Sequence, residues 1–397
     1  MVKGIRDLFN SSFTKEKYAD FLKDLDKQFP GAIDFRVAET PIFVDKELGD
    51  RMIETCEYII DFIKRKDFLA LTERAIPKDE YMKNETDHSH FIAFDFGLCK
   101  NESGDLYPAL IEMQGFPTLF GFQAYYPAVL EKHFAIPNGY SNFFNSINQA
   151  SYIELLKEVI IGKYKKEEVI LLEIKPHQQK TRIDFYCTQQ FLGINIVCIT
   201  ELIKEGENLY YMNNGIKTRV RRIYNRVIAD ELNATKDQLG NIIQFTDDLD
   251  VEWIPHPHWF YRISKFTLPY LHHTCIPETK FLNEVKNIPP DLENYVLKPL
   301  FSFAGQGVVI DVTINDINDI KDPGNWILQR KVNYAACIET PDEPAKAEIR
   351  LMYVWKEGDE RPTLVTNLAR LSKGKMIGVR YNKDKEWVGG SVAYFEQ

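Results

Sequence analysis

Two stretches of this chain carry residue types suited to holding a metal and a polyphosphate. The first is FIAFDFGLCKNESGDLYPALIEMQ (91–114), whose alternation predicts a β-hairpin. On the outgoing strand Ala93, Asp95 and Gly97 share one face, and Ile92, Phe94 and Phe96 take the other. On the returning strand Leu110, Glu112 and Gln114 are expected to share a face opposed to Ala109, Ile111 and Met113. The turn residues NESGD centre near Ser103 and Gly104, which sets Asp95 opposite Glu112. Two facing carboxylates repel unless a cation lies between them. A hard divalent ion such as Mg²⁺ takes carboxylate, amide and phosphate oxygens. The alternative is a hairpin with solvated acids, against which the very apolar flanks argue.

The second stretch is YVLKPLFSFAGQGVVI (295–310). Lys298 follows Val296 and Leu297 in an apolar strand, where an unpaired ammonium is expensive. A phosphate is an obvious partner. The loop SFAGQG, with Gly305 and Gly307, offers backbone N–H groups to anionic oxygens. It matches neither GxxxxGK[ST] nor GxGxxG. A snorkelling lysine before a glycine turn is the other reading. Oxygen ligands first and a lysine later together suggest ATP chemistry.

The elements that must position these residues fall into three regions. Residues 1–150 open with helical periodicity, Met52, Cys56, Ile59, Ile60 and Ile63 recurring in 46–66. The hairpin and an aromatic-rich segment follow. Residues 151–275 read as an α/β unit. Here EEVILLEIK (167–175) and GINIVCIT (193–200) are buried parallel strands, joined through a helix in KTRIDFYCTQQFLG that ends at Gly193. Residues 276–397 return to strands, in ENYVLKPL, GVVIDVTI, NWILQRKV, AEIRLMYVW and TLVTNLARLS, and predict a mostly antiparallel sheet.

Composition bounds the function. A chain of 397 residues has room for two or three buried cores. Its net charge of −9 argues against a general nucleic-acid binder. No apolar run approaches the roughly 18–20 residues of a membrane span, and the first residues lack the apolar core of a signal peptide. Six cysteines without a CxxC pair read as reduced thiols of a cytoplasmic protein.

On the segments quoted, the chain resembles the ATP-grasp superfamily. The similarity is to its circularly permuted branch, which includes glutathionylspermidine synthase and in which the metal carboxylates precede the nucleotide lysine. FDFGL…LIEMQGFPT resembles that family's strand pair, an aspartate followed by Glu-x-Asn. The match implies that Asp95 and Glu112 bind Mg²⁺, with Gln114 in the asparagine's place. WFYRISKFTLPYL (259–271) is similar to the family's Asn-Lys, Leu-Pro segment, which implies that Lys265 touches ATP. Lys298 and its loop resemble the second ATP lysine and the phosphate loop, implying Ser302, Gly305, Gln306 and Gly307 around the phosphates. NWILQRKV (325–332) resembles the strand entering the adenine hinge, with Gln329 as a contact. RVRRIYN (219–225) is similar to a paired-arginine strand of the branch's middle domain, and Arg370 in NLARLS stands for its C-terminal arginine.

The fold so implied is an α/β and α+β multi-domain, circularly permuted ATP-grasp arrangement. Its metal-binding hairpin lies in 1–150, a Rossmann-like pre-ATP-grasp domain in 151–275 and the nucleotide-binding region in 276–397. The implied reaction joins a small-molecule or peptide carboxylate to an amine, through an acyl phosphate, with ATP and Mg²⁺ as cofactors and release of ADP and phosphate. Neither nucleic acid nor membrane is an expected partner. The family places an arginine two residues before the first metal aspartate and another in the phosphate loop. This chain has Ala93 and Phe303 there, which leaves room for a nucleotide-binding protein without ligase activity; a structural or partner-binding protein, with 13% aromatic residues to present, is the other alternative.

Three further groups bear on the site. His256 and His258 form a His-x-His pair, but no cysteine stands at finger-like spacing and the prolines of WIPHPHW predict a loop. Arg219, Arg221, Arg222 and Arg226 suit either an anionic substrate or a salt-bridged surface. Arg350 lies in an apolar strand beside Glu348, as an internal ion pair or as a group that stabilises a transferred phosphate.

Overall fold

The hairpin forms as Phe91–Lys100 and Leu106–Gln114 in a computed structural model that describes residues 2–301, 307–374, 377, 382 and 384–397. Its turn is closed by Asn101, whose Oδ1 accepts from the Asp105 N–H at 2.8 Å. Gly104 stands at φ 88°, a left-handed conformation that glycine adopts without a Cβ clash. Asp95 pairs with Glu112, as the turn position predicts. The next pair is Phe96 with Leu110, so Ile111 is bulged out of register. The bulge overturns one expectation. Leu110 lies in the same apolar core as Phe94, Phe96 and Met113, and does not share the Glu112 face.

This hairpin does not stand alone. Lys346–Val354 adds antiparallel to Phe91–Lys100, Thr363–Ser372 pairs with Lys346–Val354, and Gly389–Ser391 completes a five-stranded sheet. Two distant parts of the sequence therefore build one sheet, whereas AEIRLMYVW and TLVTNLARLS were expected beside ENYVLKPL. One face of this sheet is apolar and rests on helix Lys46–Ile63. That helix starts at Asp45, whose side chain caps the Leu48 N–H. It buries Met52, Cys56, Ile59, Ile60 and Ile63, the stripe read from the sequence.

The α/β unit has four parallel strands in the order Glu252–Ile254, Arg222–Asn225, Val169–Glu173, Asn195–Cys198. Helix Arg182–Leu192 makes the crossover and ends at Gly193 (φ 74°). A three-stranded sheet of Thr279–Phe281, Trp326–Arg330 and Tyr295–Pro299 carries Lys298. The strand expected in GVVIDVTI contracts to one bridge between Leu297 and Val309. Thr313 and Asp316 form a capping box there and start helix Ile314–Asn318 instead. All six cysteines are free thiols, and no described helix is long and apolar enough to cross a membrane.

Candidate functional site

Strand alternation and register gather charged side chains on the face of the five-stranded sheet opposite helix Lys46–Ile63. Arg350 lies opposite Asp95, and Glu348 opposite both Gly97 and Arg370. Arg350 donates from Nε to Asp95 Oδ1 and from Nη2 to Oδ2, each at 2.5 Å. Arg370 Nη2 adds a bond to Asp95 Oδ2 at 3.1 Å and also pairs with Glu348. Asp95 is only 2% exposed, so two guanidinium groups surround a carboxylate that water barely reaches. Arg350 thus pairs with Asp95, and Glu348 belongs to Arg370.

Glu348 takes its remaining bond from the Tyr334 hydroxyl at 2.8 Å. Burial pushes its carboxyl up, against the opposing pull of Arg370. For Arg370, burial acts downward, yet Glu348 and Asp95 hold the guanidinium above its ordinary value. The Tyr334 ring lies over Gly97, where a Cβ would come within 2.7 Å of its Cε1.

Lys298 reaches this face from the neighbouring sheet. Its strand neighbours place it in a seam where Nζ donates to Gln329 Oε1 at 2.7 Å and to the Ile111 carbonyl at 3.2 Å. The second acceptor belongs to Ile111, the residue that the bulge leaves without a partner on the facing strand. Gln329 is held in turn by its Nε2 bond to Thr279 Oγ1, 3.0 Å. Burial pulls the Lys298 ammonium down to about 8, with Glu112 opposing. Lys265 sits in the 3₁₀ turn Lys265–Tyr270, which Ser264 caps. Burial lowers its pKa too, against the pull of Glu112 and Asp230.

Glu112 is the more open acid, its side chain 38% exposed and its Oε1 4.0 Å from Arg350 Nη2. Gln114 lies beyond it, with Nε2 directed at the Phe116 carbonyl at 3.5 Å. Asp95, Glu112, Lys265, Lys298, Gln329, Arg350 and Arg370 therefore converge on one place, and Glu348, Tyr334 and the Ile111 carbonyl join them unannounced by any motif. The sequence did hold one hint, since Glu348 and Arg350 are two apart and must share a strand face. Gly307 is left-handed (φ 71°) and packs toward Pro299, close after Lys298. Ser302, Phe303, Gly305 and Gln306 lie outside the described residues.

The donor set is of the right chemical kind for Mg²⁺, being carboxylate and amide oxygen. Both oxygens of Asp95, however, are already engaged by arginine. Glu112 and Gln114 are the donors open to an ion.

The other groups resolve as structure. Arg219 and Arg221 pair with Asp250 at 2.8 and 3.0 Å, and Arg222 pairs with Glu357 at 2.8 Å. Glu85, His256 and His258 bring potential ligand atoms within 4.8 Å of one another. Yet His258 Nε2 accepts from the Met82 N–H at 2.9 Å while its Nδ1 faces Glu85 at 3.0 Å. His256 Nδ1 accepts from the His258 N–H, and its Nε2 faces the Lys83 carbonyl. Each imidazole lone pair is spent on a backbone amide, so neither is presented to a metal. A cavity of about 400 Å³, lined by Arg51, Glu54, Tyr107, His273 and Cys275 among others, shares no residue with the charged cluster.

No family model matches this chain, and no curated protein matches it in sequence. Among solved structures, the apo form of a glutathione synthetase-like effector (GSS30) from Globodera pallida superposes with a TM-score of 0.59. The match covers 96% of this chain and 96% of that one, at 10% identity. At that identity the likeness is one of fold alone: a mixed α/β, multi-sheet arrangement shared with that glutathione synthetase-like protein.

Proposed function

We propose that this protein is an ATP-dependent carboxylate–amine ligase of the circularly permuted ATP-grasp type, acting in the cytoplasm and releasing ADP and phosphate. The observation that carries this reading is the seam. A buried lysine on one sheet bonds to a bulged carbonyl on another, directly beside two acids and two arginines. The fold likeness to a glutathione synthetase-like protein supports the assignment.

In this reading Lys298 and Lys265 bind the ATP phosphates, with Gln329 orienting Lys298. Glu112 and Gln114, joined by Asp95, would hold Mg²⁺, which offsets phosphate charge as the γ-phosphoryl group moves. The substrate carboxylate attacks that group to give an acyl phosphate, and an amine then displaces phosphate. Arg350 and Arg370 would face the transferred phosphoryl group, where fixed cations stabilise developing charge.

Glu112→Ala tests the reading. The variant should stay folded by circular dichroism and lose substrate-dependent ADP release across panels of acids and amines. Turnover at the parent rate would rule out Glu112 as a metal ligand. A second reading, a nucleotide-binding protein without ligase chemistry, draws on Ala93 and on the arginine-bound state of Asp95. Calorimetric ATP binding with no ADP release over the same panels would favour it.

A further inference from the structure

The charged cluster is self-neutralised. Lys265, Lys298, Arg350 and Arg370 are set against Asp95, Glu112 and Glu348, with Asp230 also acting on Lys265. Four cations and four acids leave a formal charge of zero. A divalent ion arriving alone would meet only Glu112 and Gln114 open, and to complete its ligand set it would have to take Asp95 from two guanidinium groups, one of them bidentate at 2.5 Å. It would also strand those guanidinium groups where Arg350 is 9% exposed, and an uncompensated charge at such a site is strongly disfavoured. A polyphosphate reverses the balance. Its oxygens can accept the same arginine and lysine donors, and every donor so transferred releases a carboxylate oxygen.

We infer that the nucleotide's polyphosphate, and not the metal, is the first ligand of this site, and that the metal oxygens of Asp95 become available only when Arg350 and Arg370 shift from Asp95 to phosphate. This rests on the proposed reading of the site as an ATP site. It makes the Arg350–Asp95–Arg370 clamp an interlock, in which metal binding is conditional on nucleotide. Glu348 and Tyr334 are positioning residues in the same device, because Glu348 anchors Arg370 while its partner changes.

The test uses the full chain with Mn²⁺ as probe, its free ion followed by electron paramagnetic resonance, and ATP titrated calorimetrically in EDTA. The expected result is ATP binding in EDTA, and Mn²⁺ binding that needs nucleotide. Arg350→Gln should act in opposite directions on the two ligands. Mn²⁺ binding without nucleotide tightens roughly tenfold or more, while ATP binding in EDTA weakens. Circular dichroism matching the parent's ensures that the gain of metal affinity is read from folded protein and not from carboxylates exposed by misfolding. Arg370→Gln, at the more exposed position, is carried beside it and should shift both ligands in the same senses. Mn²⁺ binding to the nucleotide-free parent as tight as to the loaded one overturns the interlock. So does Mn²⁺ affinity unchanged in both variants. Binding of Mg-ATP without binding of metal-free ATP overturns the interlock and leaves the ligase reading standing. No binding of ATP under either condition overturns both.

Discussion

Lys298 shows how burial sets up a ligand's chemistry. An ammonium held by one amide oxygen and one carbonyl, without a carboxylate in direct contact, has its pKa pulled from 10.5 to about 8. A polyphosphate placed beside it favours the charged form and restores the proton. ATP binding at pH 8 should therefore take up about half a proton per site, read from calorimetry in buffers of different ionisation enthalpy. Affinity should fall as pH rises through about 8, because the free protein then presents a neutral amine. Lys298→Met should abolish both effects, and proton uptake unchanged in that variant would assign the proton elsewhere. At this scale the sequence was informative about residue types. An isolated lysine in an apolar strand and two acids on a hairpin are legible because burying charge demands a partner. The partners themselves were not legible: Arg350 was read beside Glu348 and pairs with Asp95, 255 residues away.

At the scale of elements the decisive feature is the bulge at Ile111. Alternation gave the hairpin, its turn and the Asp95–Glu112 pairing. It could not give an extra residue, because a bulge alters which side chains share a face without changing the apolar–polar pattern that announces a strand. The lysine's acceptor depends on that residue. Deleting Ile111 should leave a regular ladder, since Phe96–Leu110 and Asp95–Glu112 become successive pairs. The variant should hold its circular dichroism spectrum while its ATP affinity falls roughly tenfold, a loss near 1.4 kcal/mol. Unaltered affinity would mean that the carbonyl is incidental to the lysine. Gly97 is the companion constraint. With Tyr334 Cε1 2.7 Å from where a Cβ would stand, Gly97→Ala must displace the ring, and a cost of about 1–3 kcal/mol in urea unfolding is expected. The sheet's composition was the least legible element. Which strands pair is decided by long-range packing: the strands at 346–372 chose the hairpin over the nearer strands at 295–330.

Across the whole molecule, the candidate site depends on how the segment carrying Lys265 is fixed to the segment leading into the hairpin. Arg262 and Glu85 make that joint. The Arg262 Nε donates to Glu85 Oε1 at 2.5 Å, Nη2 to Glu85 Oε2 and Glu73 Oε2 at 2.8 Å, and Nη1 to the Leu69 carbonyl and Thr72 Oγ1 at 2.7 and 2.9 Å. All five donors of a guanidinium that is 3% exposed are thus used. His258 adds its Nδ1 to the same Glu85. For Glu85, burial acts to raise the pKa, but Arg262 and His258 outweigh it and hold the carboxyl near 2, below the ordinary 4.5. A folded pKa below the unfolded one means stabilisation that is complete above about 4.5 and drains away as pH falls toward about 2. Glu85→Gln should therefore unfold at lower urea than the parent at pH 7, by about 2–3 kcal/mol, because Arg262 loses its principal counter-ion. The deficit should shrink below pH 4, where the carboxyl of the unfolded parent takes up a proton that the folded one, held near 2, still refuses. A deficit constant from pH 7 to pH 3 would show that hydrogen-bond geometry, and not charge, makes the joint. Loss of the joint should also weaken ATP binding at pH 7, since Lys265 follows Arg262 by three residues and its approach to Glu112 depends on how that segment is held.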